Sequence, residues 1–126
     1  MMFGHTRAQR MAKAKKRPSH ELPVPPAADA DERAVEMLRV WIAAGGLHCT
    51  LNIGHWEQFQ GVEEDVAWGK VLADTIRHIA NALKANHGIE PEETVRRVLK
   101  ALETELAEPT TRHRGRFVES RKRPTE

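Results

Sequence analysis

Asp74 and His78 stand four residues apart, and Asn81 follows one helical turn later. On a helix that spacing puts all three on one polar face. An acid beside an imidazole can bind a metal or orient the ring for proton transfer. An ordinary solvated i,i+4 pair has the same spacing. His55-Trp56-Glu57 lies in a segment without periodicity, and loops held on a rigid scaffold often carry binding residues. Trp56 is equally suited to packing on Trp68, which would seat that loop on a helix. Trp41 and Arg39 alternate onto one face of an expected strand, with His48, Thr50 and Asn52 beside them. A large aromatic on a polar sheet face can mark a partner surface. It can also be covered by Leu22–Pro26, with the indole stacked on proline.

Other chemistry is disfavoured by spacing. The single cysteine, Cys49, adjoins His48, but neighbours on a strand point to opposite faces and cannot easily form a catalytic couple. Cys49 falls on the apolar face and is expected to be a small buried hydrophobe. The chain has seven histidines. None has the paired spacing of a zinc site, and no nucleophile elbow or phosphate-binding glycine loop is present. The expectation is no catalytic residue, no metal, no cofactor and no enzymatic activity.

The elements that must carry these residues are legible from hydropathy. In Leu38 to Ile53, apolar residues alternate on both sides of Gly45-Gly46. That predicts a β-hairpin with strands at 35–43 and 47–53 and a two-residue Gly45-Gly46 turn. The register would pair Ile42 with Cys49, Val40 with Leu51 and Leu38 with Ile53, merging the apolar faces. A helix is expected over 62–86, with a stripe of Val62, Val66, Gly69, Ala73, Ile76, Ala80 and Leu83 widened by Leu72 and Ile79. Gly88 stops it. A second helix starts near Pro91, carries Val95, Val98, Leu99, Leu102 and Leu106, and ends before Pro109. Upstream, Leu22–Pro26 favours extended polyproline geometry, and Asp29 or Asp31 can cap a short turn through Ala34. The fold class is therefore α+β, a β-hairpin followed by two antiparallel helices (ββαα), with the helices on one face of the sheet.

The net charge of +2 hides an asymmetry. Residues 1–20 carry six bases and no acid, and residues 109–126 carry six bases and two acids. Between them, residues 29–108 hold 15 acids against 8 bases. Three regions follow: a basic tail over 1–21, one domain over 22–109, and a second basic tail over 110–126, both tails expected to be disordered. Met11 is an alternative start to Met1. One cysteine rules out an internal disulfide, and no secretory or membrane-spanning pattern is seen, so a cytoplasmic setting is expected.

Two partner classes remain. Leu47–Ile53 contains no Lys, Arg, Asp, Glu or Pro, the residues that usually guard a sheet edge. An antiparallel homodimer pairing these edges into four strands is the expectation. Its function would be protein interaction through Arg39 and Trp41, or through His55 and Trp56. The alternative is nucleic-acid association, with Lys13–Arg17 and Arg112–Arg116 neutralising phosphates. Glu90, Glu92 and Glu93 at the start of the second helix argue against a helix-turn-helix reader.

The runs LPVPPAADADERAVEMLRVWIA and AWGKVLADTIRHIANAL, with Trp56 closing the hairpin region between them, carry a resemblance. Over Leu22 to Pro109 the chain resembles a family of short bacterial proteins classed as domain of unknown function 5076. Ala67-Trp68-Gly69, Leu72, Ala73, Asp74, His78, Ala80 and Asn81 are its more specific part. The loop at Gln58 to Gly61 is longer than the family pattern. The resemblance implies a bacterial cytoplasmic protein, excludes both basic tails and brings no catalytic residue with it.

Overall fold

A computed structural model describes residues 20–110, which fall into two compact units divided between Val35 and Glu36. The expected basic tails lie almost wholly outside the described residues. In the first unit, α1 spans Pro26–Asp29. It starts earlier than the aspartates suggest, because a proline at the first helical position brings its φ preset. Asp31 instead accepts the Arg33 N–H at 2.9 Å, closing a turn after the helix. Leu22 and Val24 are 85% and 61% exposed.

The second unit begins with an antiparallel hairpin of β1, Leu38–Ala43, and β2, Gly46–Leu51. Its turn is Ala44-Gly45, one residue earlier than the glycine pair suggests. Ile42 pairs with Leu47, Val40 with Cys49 and Leu38 with Leu51. This register differs from the expected one by two residues, so every side chain keeps its predicted face. Ile53 lies past the ladder, which closes where the Asn52 N–H meets the Met37 carbonyl at 3.0 Å. Both central residues have positive φ, 48° at Ala44 and 76° at Gly45. That is the signature of the primed turn whose twist matches the strands. Glycine is wanted most at the second position, which leaves Gly46 to enter β2 opposite Ala43.

Ala44 bears a steric cost of roughly 1–2 kcal/mol for its left-handed conformation. Asparagine tolerates that region and makes the preferred dipeptide for this turn. Ala44→Asn is expected to stabilise the chain by about 1 kcal/mol, read as a shifted urea midpoint at fixed protein concentration. An unchanged or lower midpoint would show that the turn is not strained.

After the hairpin a 3-10 turn spans His55–Gln58, followed by α2, Glu64–His87, and α3, Pro91–Ala107. Glu64 and Asp65 sit in the first turn of α2, where the helix dipole favours negative charge. Gly88, at φ 70°, ends the helix in the left-handed conformation that glycine adopts at least cost. Across the link of residues 88–90, Lys84 Nζ donates to Glu90 at 2.6 Å. The two helices pack on each other. The covered part of the α2 stripe is Ile76, Ala80 and Leu83, matched on α3 by Thr94, Val95, Val98 and Leu102. Leu99 and Leu106 point outward, 47% and 76% exposed.

Order and class are those of a ββαα domain. The layering is another matter. Among the described residues, no Cα of either strand comes within 8 Å of a Cα of either helix. The apolar face of the hairpin is correspondingly open, with Ile42 86% exposed, Val40 50% and Leu47 46%. Cys49 on the same face is exposed, not buried. A small hydrophobe is buried only where a second layer covers it, and the described residues place none there.

Candidate functional site: an aromatic turn and an open sheet face

The 3-10 turn is tied to α2 by hydrogen bonds and ring contacts. Gly54 enters it at φ 94°, in the left-handed region. The Trp56 ring then meets the Trp68 ring edge-on, centroids 5.6 Å apart. His55 makes edge contacts with Trp56 at 5.4 Å and Phe59 at 5.9 Å. The Trp56–Trp68 contact is the one expected from sequence.

A single carboxylate fixes this turn to the helix. Glu64 Oε1 accepts the Gly54 N–H at 2.8 Å and the Trp68 Nε1–H at 3.2 Å. Its Oε2 accepts the Trp56 N–H at 3.1 Å. Three donors that would otherwise lie half-buried without partners are satisfied by one carboxylate. Sequence reasoning passed over Glu64, which looked like any acid in a first helical turn. The available signal was Trp68, one turn later on the same face, whose indole N–H needs an acceptor.

Beside the turn runs an open groove of about 660 Å³, lined among others by Trp56, Val66, Lys70, Val71 and Asp74. Asp74 and His78 do meet, at 3.1 Å, but their side chains are 65% and 78% exposed. Asn81 lies one turn on, also exposed. Among the described residues, no cluster of three or more His, Cys, Asp or Glu is placed to hold a metal. Nor is any helix among them long and apolar enough to cross a membrane.

The polar sheet face holds the remaining candidates. Trp41 is half-buried and sits opposite His48 across the ladder. Arg39 engages Glu36 through two hydrogen bonds of 2.7 and 3.0 Å. The His48 ring nitrogen Nε2 lies 3.0 Å from the Ala43 carbonyl. Thus Trp41 and Arg39 share one face, and His55 and Trp56 share one turn. Among the described residues, no strand Cα lies within 8 Å of the 3-10 turn to join the two pairs.

A hairpin, an aromatic turn clamped by one glutamate and a packed helical pair together define a small α+β domain of ββαα order. The chain belongs to the family described as domain of unknown function (DUF5076), whose model matches residues 21–110. This is the family that the residue runs between Leu22 and Pro109 resemble. The chain is also similar to a solved structure named a "putative pyruvate dehydrogenase" from the photosynthetic bacterium Rhodopseudomonas palustrus CGA009. The two share 25% identity with a TM-score of 0.56, over 82% of this chain and 99% of that one. No curated protein matches the chain.

Proposed function

We propose that this protein is a small, non-enzymatic interaction domain of the bacterial cytoplasm that self-associates by pairing its β2 edges. The observation that carries the reading is the open apolar sheet face, with Ile42 86% exposed beside the turn and Val40 50% exposed at its middle. An isolated two-stranded hairpin is marginal in water, and an open apolar face of this kind marks an association surface. The β2 edge supports it, since Gly46–Leu51 carries no charge and no proline to block pairing. Antiparallel pairing of two β2 edges gives a four-stranded sheet with all apolar faces on one side. The Trp41 face or the Trp56 turn is then left for a second, different protein.

The neighbour's name suggests an enzyme. The interaction reading is preferred because the acid–histidine pair faces solvent, 65% and 78% exposed, which suits neither a poised base nor substrate held away from water. Sedimentation of the full chain should show a dimer in the micromolar range. Monomer alone at several hundred micromolar would overturn the proposal. For the outer face, Trp41→Ala should abolish capture of a protein partner while leaving the dimer intact. Equal capture by the variant would assign that face a structural role.

A further inference from the structure

We infer that the second copy does more than extend the sheet: its helix α2 covers the apolar hairpin face, and the exchange is reciprocal. The inference rests on the self-association reading and deepens it by naming the surface that meets Ile42.

Two apolar faces of this chain lack an occupant among the described residues. One is the hairpin face of Val40, Ile42 and Leu47. The other is the exposed part of the α2 stripe. Ile76, Ala80 and Leu83 are covered, yet Val66 is 50% exposed, Leu72 43% and Ile79 42%. Gly69 and Ala73, between them, are exposed as well. The clamped turn cannot serve as their cover. It binds through Glu64 and Trp68, while Gly69 and Ala73 sit about 100° and 140° around the helix from Trp68. Val62 and Val66 border the groove beside Trp56, whereas Gly69 and Ala73 lie outside it, exposed.

Sheet on helix is the layer that these two faces would make, and the clamp keeps them apart in one chain. The Asn52 N–H closes the ladder, and the Gly54 N–H is held by Glu64. Only Ile53 separates the two. So short a tether fixes where the hairpin leaves α2, and folding it back onto its own stripe would break the Glu64 hydrogen bonds. A second copy meets no such restriction. Antiparallel pairing of β2 edges implies a two-fold axis perpendicular to the sheet, which keeps both apolar faces on one side. The proposed arrangement seats each hairpin face on the partner's exposed α2 stripe. Two such contacts plus the shared edge enlarge the interface towards the roughly 1,600 Å² typical of stable complexes.

Cys49 reports on this directly, being the sole cysteine and exposed on the hairpin face of the single chain. The rate of its labelling by a maleimide is measured on the full chain at nanomolar and at several hundred micromolar concentration, with sedimentation beside it. Cover in trans predicts at least tenfold slower labelling in the dimer than in the dilute protein. Leu72→Arg should remove that protection, and Ala73→Arg, on the same exposed stripe, serves if the first variant loses its helical circular dichroism. A dimer whose Cys49 labels as fast as in the dilute protein overturns the inference and leaves edge pairing standing. Slow labelling at both concentrations means cover in cis and also overturns it. Full protection in a folded stripe variant shows that α2 is not the cover. Monomer at every concentration removes both proposals.

Discussion

Ile42→Asp is expected to abolish self-association and leave the single chain folded. Ile42 is 86% exposed in the chain alone, so its own molecule gains almost nothing from it. Its burial in a dimer contributes about 2 kcal/mol per copy, and a two-fold interface counts it twice. An aspartate at the same place must also lose water or lose its charge. A total of about 4 kcal/mol corresponds to roughly a thousandfold weaker dimer. Sedimentation over a concentration series reads the loss. Circular dichroism of the variant should match that of the parent under dilute conditions, since surface changes usually stay within about 0.5 kcal/mol. A dimer constant within tenfold of the parent's would mean that the hairpin face is no interface. Loss of helical signal would mean that the face stabilises its own chain.

The hairpin was legible because strand parity is strict. Alternation from Leu38 to Ile53 assigns each side chain a face whatever the register, provided that any slip is even. The register itself depended on whether the turn falls at Ala44-Gly45 or Gly45-Gly46. Hydropathy does not distinguish these, and neither does turn chemistry, since both dipeptides place a glycine second. The helix ends at Gly88, Pro91 and Pro109 were equally accessible, since they rest on backbone properties of single residues. Periodicity also gave α2 its apolar stripe. It could not say that Ile76, Ala80 and Leu83 are covered while Leu72 and Ile79 stay more than 40% exposed among the described residues. A stripe records that some surface must be covered, and it carries no record of which molecule does so.

The candidate residues divide along the same line. Contacts within one helix or one short loop were readable, such as Asp74 with His78. Trp56 on Trp68 was readable too, because both rings are large and the loop between them is short. Cys49 is exposed, not buried, because its burial depends on a layer that the described residues do not place over the hairpin. Glu64 was missed because its role is defined by backbone N–H groups eight and ten residues away, which leave no trace in side-chain pattern.

Glu64→Ala should therefore be among the most damaging substitutions in the helical layer. It removes the acceptor for the Gly54 and Trp56 N–H groups and the Trp68 indole N–H. Hydrogen bonds to a charged group contribute about 1.5–3 kcal/mol each, but partial burial lets water replace some of them, so a loss of about 3 kcal/mol is expected. The near-ultraviolet signal of the Trp56–Trp68 pair should weaken as the turn loosens. Glu64→Gln offers an intermediate case. Its one carbonyl oxygen can still serve Gly54 and Trp68, but its amide nitrogen would face the Trp56 N–H donor to donor. About half of the loss should return. Urea midpoints of the three proteins, taken at one dilute concentration, test this order. A Glu64→Ala midpoint indistinguishable from the parent's would show that the turn holds to the helix by its aromatic rings alone. The clamp also sets where the hairpin leaves α2, so the same variant should dimerise at least tenfold more weakly, even where enough of it remains folded to measure. If it dimerises normally, the short tether does not aim the hairpin, and exchange between copies must draw its geometry from the β2 edge.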